Sequence, residues 1–190
     1  MFERVKRDNS DSVKKATSVL ESGGIIAYPT DTIYGFGCDA RNEKAIERLN
    51  NIKGRSAPMS VLCPSFQNVS SWIDLPNHEK AIVEKQIKPK TTLIVPVKSN
   101  VVSNLILGNG NTLGIRISNH PFCISVAHNY PSPITTTSVN RSGHEPISDP
   151  NKIELEFSNE IDLCIDDGVI KGKGSKIYKY ENQSWTPIRS

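Results

Sequence analysis

The stretch GGIIAYPTDTIYGFG, residues 23–37, decides the fold. Its apolar run Ile25-Ile26-Ala27-Tyr28, closed in by Gly23-Gly24 and Pro29, reads as a short buried strand. Pro29 ends the strand, so Thr30, Asp31 and Thr32 emerge at its C-terminal edge, where α/β architectures usually place ligands. Upstream, Val13, Ala16, Val19 and Leu20 share one face of a helix over 10–22, which the Gly pair stops. Downstream, Ala45, Ile46, Leu49 and Ile52 stripe a helix over 43–52 that delivers Lys53-Gly54-Arg55 at its end. Short apolar runs at 59–62, 92–97, 114–117, 134–137, 163–165 and 176–180 read as strands, and 79–86 and 121–128 as helices. The two element types alternate irregularly, which predicts an α/β fold with a mixed sheet flanked by helices, formed by one domain over 1–190.

Composition narrows the class without naming a chemistry. The 190 residues are 36% hydrophobic and 23% charged, as expected of one ordinary globular domain, and no heptad, collagen or solenoid period is present. No apolar run approaches the roughly 18 residues that span a bilayer, and MFERVKRDNSD has no apolar centre of a signal peptide, so the expected location is cytoplasmic, without membrane partners. A net charge of +3 permits an anionic ligand but does not indicate nucleic acid. Cys38, Cys63, Cys123 and Cys164 are spread singly, which fits buried thiols rather than a zinc site or disulfides. H-E-x-x-H, G-x-S-x-G and G-x-x-x-x-G-K-[ST] are all missing; K-G-K-G-S-K at 171–176 lacks the spacing of a phosphate loop. His78, His120, His128 and His144 are scattered and read as ordinary surface or core residues.

Three clusters concentrate hydroxyls, cations and turn residues at strand ends. In YPTDTIYGFG, residues 28–37, Gly35 and Gly37 relax the backbone beside Thr30, Thr32 and Tyr34, suiting close approach to a small polar ligand; the plain alternative is a polar turn whose threonines cap local backbone. Lys53 and Arg55 either complement the helix dipole or hold a polyphosphate, with Lys as point charge and Arg as planar fork. TTTSVNRSG, residues 135–143, is rich in neutral hydrogen-bonding groups suited to an anion or nucleotide, or is a β-branched edge strand entering a turn.

Together these clusters, with GIRISNHP at 114–121, IDDG at 165–168 and the terminal IRS, resemble the YrdC/TsaC family, the threonylcarbamoyl-AMP synthases of tRNA modification. The family hallmark pairs a K-x-R with a distant S-x-N, present here as Lys53-Gly54-Arg55 and Ser138-Val139-Asn140. The resemblance implies a YrdC/RibB-like fold, a twisted mixed sheet around a concave basic cavity, and an enzyme that makes threonylcarbamoyl-AMP and pyrophosphate from L-threonine, bicarbonate or carbon dioxide, and ATP with Mg2+. By motif position it assigns Thr30, Arg116, Thr136 and Ser175 to L-threonine, and Lys53, Arg55, Thr112, Ser138, Asn140 and Arg189 to ATP, with Lys53, Arg55, Ser138 and Asn140 as the catalytic set; it assigns no metal ligands. It also implies the short type of the family, which relies on a tRNA-modifying threonylcarbamoyl transferase complex and has tRNA as a further partner. The chain departs from the family in a short loop between Arg55 and Pro58 and in Lys90-Thr91, which replace a Gly-Pro turn. An alternative reading is a non-catalytic paralogue that binds structured RNA on a surface formed by Lys53, Arg55, Arg116 and Arg141.

Overall fold

In the computed structural model, which describes residues 2–63 and 65–190, strand β1 (Glu3–Lys6) leads into helix α1 (Ser12–Glu21), followed by β2 (Ile26–Tyr28) and β3 (Gly35–Gly37). Helix α2 (Glu43–Lys53), strand β4 (Ser60–Leu62), helices α3 (Phe66–Ser70) and α4 (Asn77–Gln86) and strand β5 (Thr91–Pro96) come next. The remainder comprises β6 (Thr112–Arg116), α5 (Pro121–Asn129), β7 (Ile134–Ser138), α6 (Pro150–Phe157), β8 (Leu163–Asp166), β9 (Lys176–Glu181) and β10 (Ser184–Arg189). The strands form one mixed sheet in the order β1-β8-β2-β3-β7-β4-β6-β5-β9-β10.

Local chemistry accounts for the helix ends. Helix α1 buries Ser12, Ala16 and Leu20, one residue per turn, and stops where Gly23 takes a φ of +74°. Asn42 caps α2 by accepting from the Ala45 N–H, and Gly54, at φ +67°, closes its other end. Pro121 and Pro150 stand in the first turns of α5 and α6, capped by the side chains of His120 and Asp149.

Five strands and α-helices lay outside the sequence expectation. Strand β1 has one buried residue, Val5, and is extended because it pairs in parallel with β8. Strand β3 is Gly-Phe-Gly, so the two glycines serve strand packing rather than loop freedom. A Cβ on Gly37 would stand 2.7 Å from the Tyr28 ring and 3.0 Å from Ile134. Strand β10 returns through Asn182-Gln183, both at positive φ, a two-residue hairpin in which Gln is not a usual turn residue. Helices α3 and α6 complete the set; for α6 the Asp149-Pro150 pair was an available start signal. Strand β7 lies between β3 and β4, so TTTSVNRSG does not begin on an edge strand.

One row of directly paired residues explains where a cavity can form. Ile134, Leu62, Arg116, Thr92, Ile177 and Arg189 stand side by side across β7, β4, β6, β5, β9 and β10. Residues paired in register project to the same face of a sheet. At one end of the row Ile134 and Leu62 are covered by α5 through Phe122 and Val126, in a core that also holds Ala16 and Leu20 of α1. Among the described residues no such apolar cover reaches Arg116, Thr92, Ile177 and Arg189, and this bare half of the face is the cavity floor. The opposite face carries Val61, Ile115 and Leu93 into the larger core with Ala45 and Leu49 of α2.

Candidate active site

The cavity has a volume of about 180 Å³ and is open to solvent on one side. Strand β7 contributes Thr136 and Ser138, β4 Ser60, β5 Thr92, and the row above supplies Arg116, Ile177 and Arg189. Thr30 to Gly35 form one rim, Arg55, Pro58 and Met59 a second, and Gly174 and Ser175 a third. Three arginines line it, and among the described residues its wall carries no Asp or Glu. Burial and the charge of Arg116 hold Arg189 below the usual arginine range, and Asp31, the carboxylate that pairs with Arg116, stands off the wall. Such a wall favours an anion.

The K-x-R and S-x-N motifs, 83 residues apart from Arg55 to Ser138, meet here. Lys53 is 2% exposed. Its ammonium donates to the Ser138 carbonyl at 2.7 Å and to Asn140 Oδ1 at 2.6 Å. Ser138 Oγ donates to the same Asn140 oxygen at 2.6 Å, while the Asn140 amide donates to the His144 carbonyl. Lys53 thus stands in the last turn of α2, where a cation suits the helix dipole, and gives its ammonium to the Ser138 corner. Burial, with the nearby Arg55 charge, pushes its pKa down to about 8. Ser138 and Arg55 face the cavity, with Lys53 and Asn140 directly behind Ser138.

Arg189 reaches the floor because of a β-bulge. Pro187 pairs with Tyr178 and Arg189 with Ile177, so Ile188 is the extra residue. Arg189 Nε donates to the Ser175 carbonyl at 2.8 Å and Nη2 to Ser175 Oγ at 3.2 Å. Ser175 Oγ also lies 2.8 Å from Thr92 Oγ1, a wall residue that sequence reasoning missed although it opens an expected strand.

Arg116 is 6% exposed. Its Nη2 donates to Thr30 Oγ1 at 3.2 Å, to Thr32 Oγ1 at 2.7 Å and to the Asp31 carboxylate. Thr30 Oγ1 donates to the Ile33 carbonyl at 2.6 Å and accepts from the Thr32 and Ile33 N–H groups. Thr30 of the T-D-T motif thus does cap local backbone, while it also stands on the cavity wall. Tyr34 ties this rim to the next: its hydroxyl donates to the Gly168 carbonyl and accepts from the Asp167 N–H.

Two expected residues lie elsewhere. Thr112 opens β6 away from the wall, its hydroxyl donating to the Asn109 carbonyl at 3.1 Å. Arg141, assigned to the surface of the RNA-binding alternative, pairs with Glu160 and lies over the Phe157 ring at 5.1 Å. The K-G-K-G segment borders a second hollow of about 310 Å³ that shares Ile33 and Gly174 with the first. Gly172 presses on the neighbouring rim so closely that a Cβ there would stand 1.8 Å from the Thr32 carbonyl oxygen. All four cysteines are free and buried, and burial pushes their thiols up.

Comparison with known proteins agrees with this architecture. Residues 18–190 match the Sua5/YciO/YrdC family, described as telomere recombination, and the chain belongs to that family. A threonylcarbamoyl-AMP synthase of Photobacterium profundum is 28% identical over 161 residues, 82% of this chain and 86% of that protein. The crystal structure of P. abyssi Sua5 complexed with L-threonine superposes with a TM-score of 0.85 at 26% identity, covering 98% of this chain and 56% of that one. E. coli YciO shares the fold, with a TM-score of 0.87 at 22% identity over 100% of this chain and 94% of its own.

Proposed function

We propose that this protein is an L-threonylcarbamoyladenylate synthase, a nucleotidyltransferase acting in the threonylcarbamoyladenosine modification of tRNA. The observation that carries the reading is the cavity itself: Arg55, Arg116 and Arg189 converge on a carboxylate-free wall beside the joined K-x-R and S-x-N motifs, in a chain whose relatives are named for this synthesis. The same relatives support the enzyme over the RNA-binding alternative.

In the proposed reaction the L-threonine amine adds to carbon dioxide, which bicarbonate can supply, and loses a proton to give a carbamate. A carbamate oxygen then attacks the α-phosphorus of ATP, and the bond to pyrophosphate breaks. This chemistry asks the protein for positioning and charge neutralisation rather than a covalent intermediate. Arg116 takes the threonine carboxylate, for which a guanidinium is a matched partner. Thr30, Thr136 and Ser175 line the same cavity. Arg55, Lys53, Ser138, Asn140 and Arg189 serve the nucleotide, with Lys53 and Asn140 acting through the Ser138 corner they hold. Thr112, carried over for ATP by motif position, stands outside the cavity wall, with its hydroxyl donating to the Asn109 carbonyl.

In this reading magnesium enters with ATP. Among the described residues no group of three or more His, Cys, Asp or Glu side chains could hold a metal, and the cationic wall fits an anion instead. In this reading transfer to tRNA is completed by a partner threonylcarbamoyl transferase complex in the cytoplasm. Among the described residues no helix is long and apolar enough to cross a membrane.

The test is incubation of the purified chain with L-threonine, bicarbonate, magnesium and ATP, with mass spectrometry for threonylcarbamoyl-AMP and a pyrophosphate assay. Threonine-dependent formation of both products is expected. Folded protein that makes neither would overturn the proposal.

A further inference from the structure

The Arg116 guanidinium is oriented by a group that does not line the cavity. The Asp31 side chain is 4% exposed and absent from the wall. Its Oδ1 accepts from Arg116 Nη2 and, at 2.9 Å, from Ser118 Oγ. Its Oδ2 accepts from the Lys90 N–H at 2.9 Å. One carboxylate thus gathers three separate segments: its own loop after β2, Arg116 and Ser118 at the end of β6, and the turn before β5. That turn brings Lys90 to a φ of +60°, unusual for a residue with a Cβ, and presents its N–H to Asp31. The Ser118 hydroxyl also accepts from the His120 N–H, which fixes the donor geometry on that side.

The pattern of satisfied and unsatisfied nitrogens on Arg116 gives the arrangement its meaning. Nη2 has two hydrogens and three acceptors, from Thr30, Asp31 and Thr32. Nε is buried and has no partner among the described residues. A buried donor without an acceptor is costly, and the site concentrates every protein acceptor on one nitrogen. Asp31 holds Nη2 while the rest of the fork is left for a ligand.

We infer that Asp31 is a positioning residue for the amino-acid subsite. Through its pair with Arg116 it sets the fork that receives an α-carboxylate, and it holds the Ser118 and Lys90 turns around that fork. The inference rests on the reading of Arg116 as the carboxylate partner. The Lys53-Ser138-Asn140 corner hydrogen-bonds within itself and not to this network, so that part of the nucleotide side does not depend on it.

Calorimetric titrations of L-threonine and, separately, of ATP with magnesium test the inference on the whole chain. Asp31→Asn is expected to weaken L-threonine about tenfold while ATP affinity stays within twofold. Arg116→Lys is expected to weaken L-threonine by at least as much, and adding Asp31→Asn to it should cost less than it costs in the wild type. Should Asp31→Asn fail to fold, Ser118→Ala, which removes one bond to the carboxylate, is expected to weaken L-threonine about threefold. Unchanged L-threonine affinity in either folded variant, or equal loss of both ligands, would overturn the role of Asp31 and leave that of Arg116 standing. Unchanged L-threonine affinity in Arg116→Lys would overturn the reading of Arg116 and this inference with it.

Discussion

Lys53 makes nucleotide affinity depend on pH in a calculable way. With the ammonium pKa pushed down to about 8, the charged fraction in the ligand-free protein falls from about 0.9 at pH 7 to about 0.1 at pH 9. If ATP binds only the charged form, its apparent dissociation constant scales with one plus the ratio of neutral to charged lysine, which rises about tenfold over that interval. Fluorescence or calorimetric titration of ATP with magnesium at half-unit steps measures this directly. Lys53→Arg, which stays charged throughout, is expected to flatten the profile between pH 7 and 9. The stability contribution of the same group has the opposite sign. Its folded pKa lies below the ordinary 10.5, so between about 8 and 10.5 the unfolded chain binds more protons and the folded state gains stability as pH rises. Loss of affinity above pH 8 therefore cannot be confused with unfolding driven by Lys53. A wild-type ATP affinity that is constant from pH 7 to 9, in protein that still binds ATP, would refute the assignment of the Lys53 charge to the nucleotide.

Three further outcomes follow from packing. Deleting Ile188 removes the bulge but leaves Arg189 directly after Pro187 and still opposite Ile177, so Arg189 keeps the cavity face; turnover should stay close to that of the wild type, against a loss on the order of 10²-fold in Arg189→Ala, while the Tyr180 and Trp185 rings keep their contact in fluorescence. Gly172→Ala forces a Cβ toward the Thr32 carbonyl and is expected to destabilise the chain by about 1–3 kcal/mol in a urea titration, although the site is exposed. Leu20→Ala empties a fully buried site under α1 and should cost about 2–5 kcal/mol by the same measurement, with L-threonine affinity unchanged in the folded protein.

Much of the fold was legible along the chain because its signals are local. The helix ending at Gly23-Gly24, the strand ending at Pro29 and the helix delivering Lys53 each follow from periodicity and a stop residue. Strand β1 and strand β3 were not legible, because one carries a single buried residue and the other two glycines, and both are extended only through their neighbours. In the site, the residues carried over from the family hallmark do meet, yet their contacts were unforeseen: Lys53 serves the Ser138 corner, Thr112 faces elsewhere, and Asp31 takes hold of Arg116.

The sequence by itself determined which side chains are available for chemistry and which segments are helical, since hydrophobic period, capping residues and motif spacing are properties of neighbours along the chain. It also supplied the family, because K-x-R and S-x-N survive as local patterns. Only the tertiary structure decided that α5 covers Ile134 and Leu62 but leaves Arg116, Thr92, Ile177 and Arg189 bare on the same row. Whether a side chain on a sheet face meets a helix or solvent depends on strand order and register, and a bulge of one residue is enough to change the face to which Arg189 belongs.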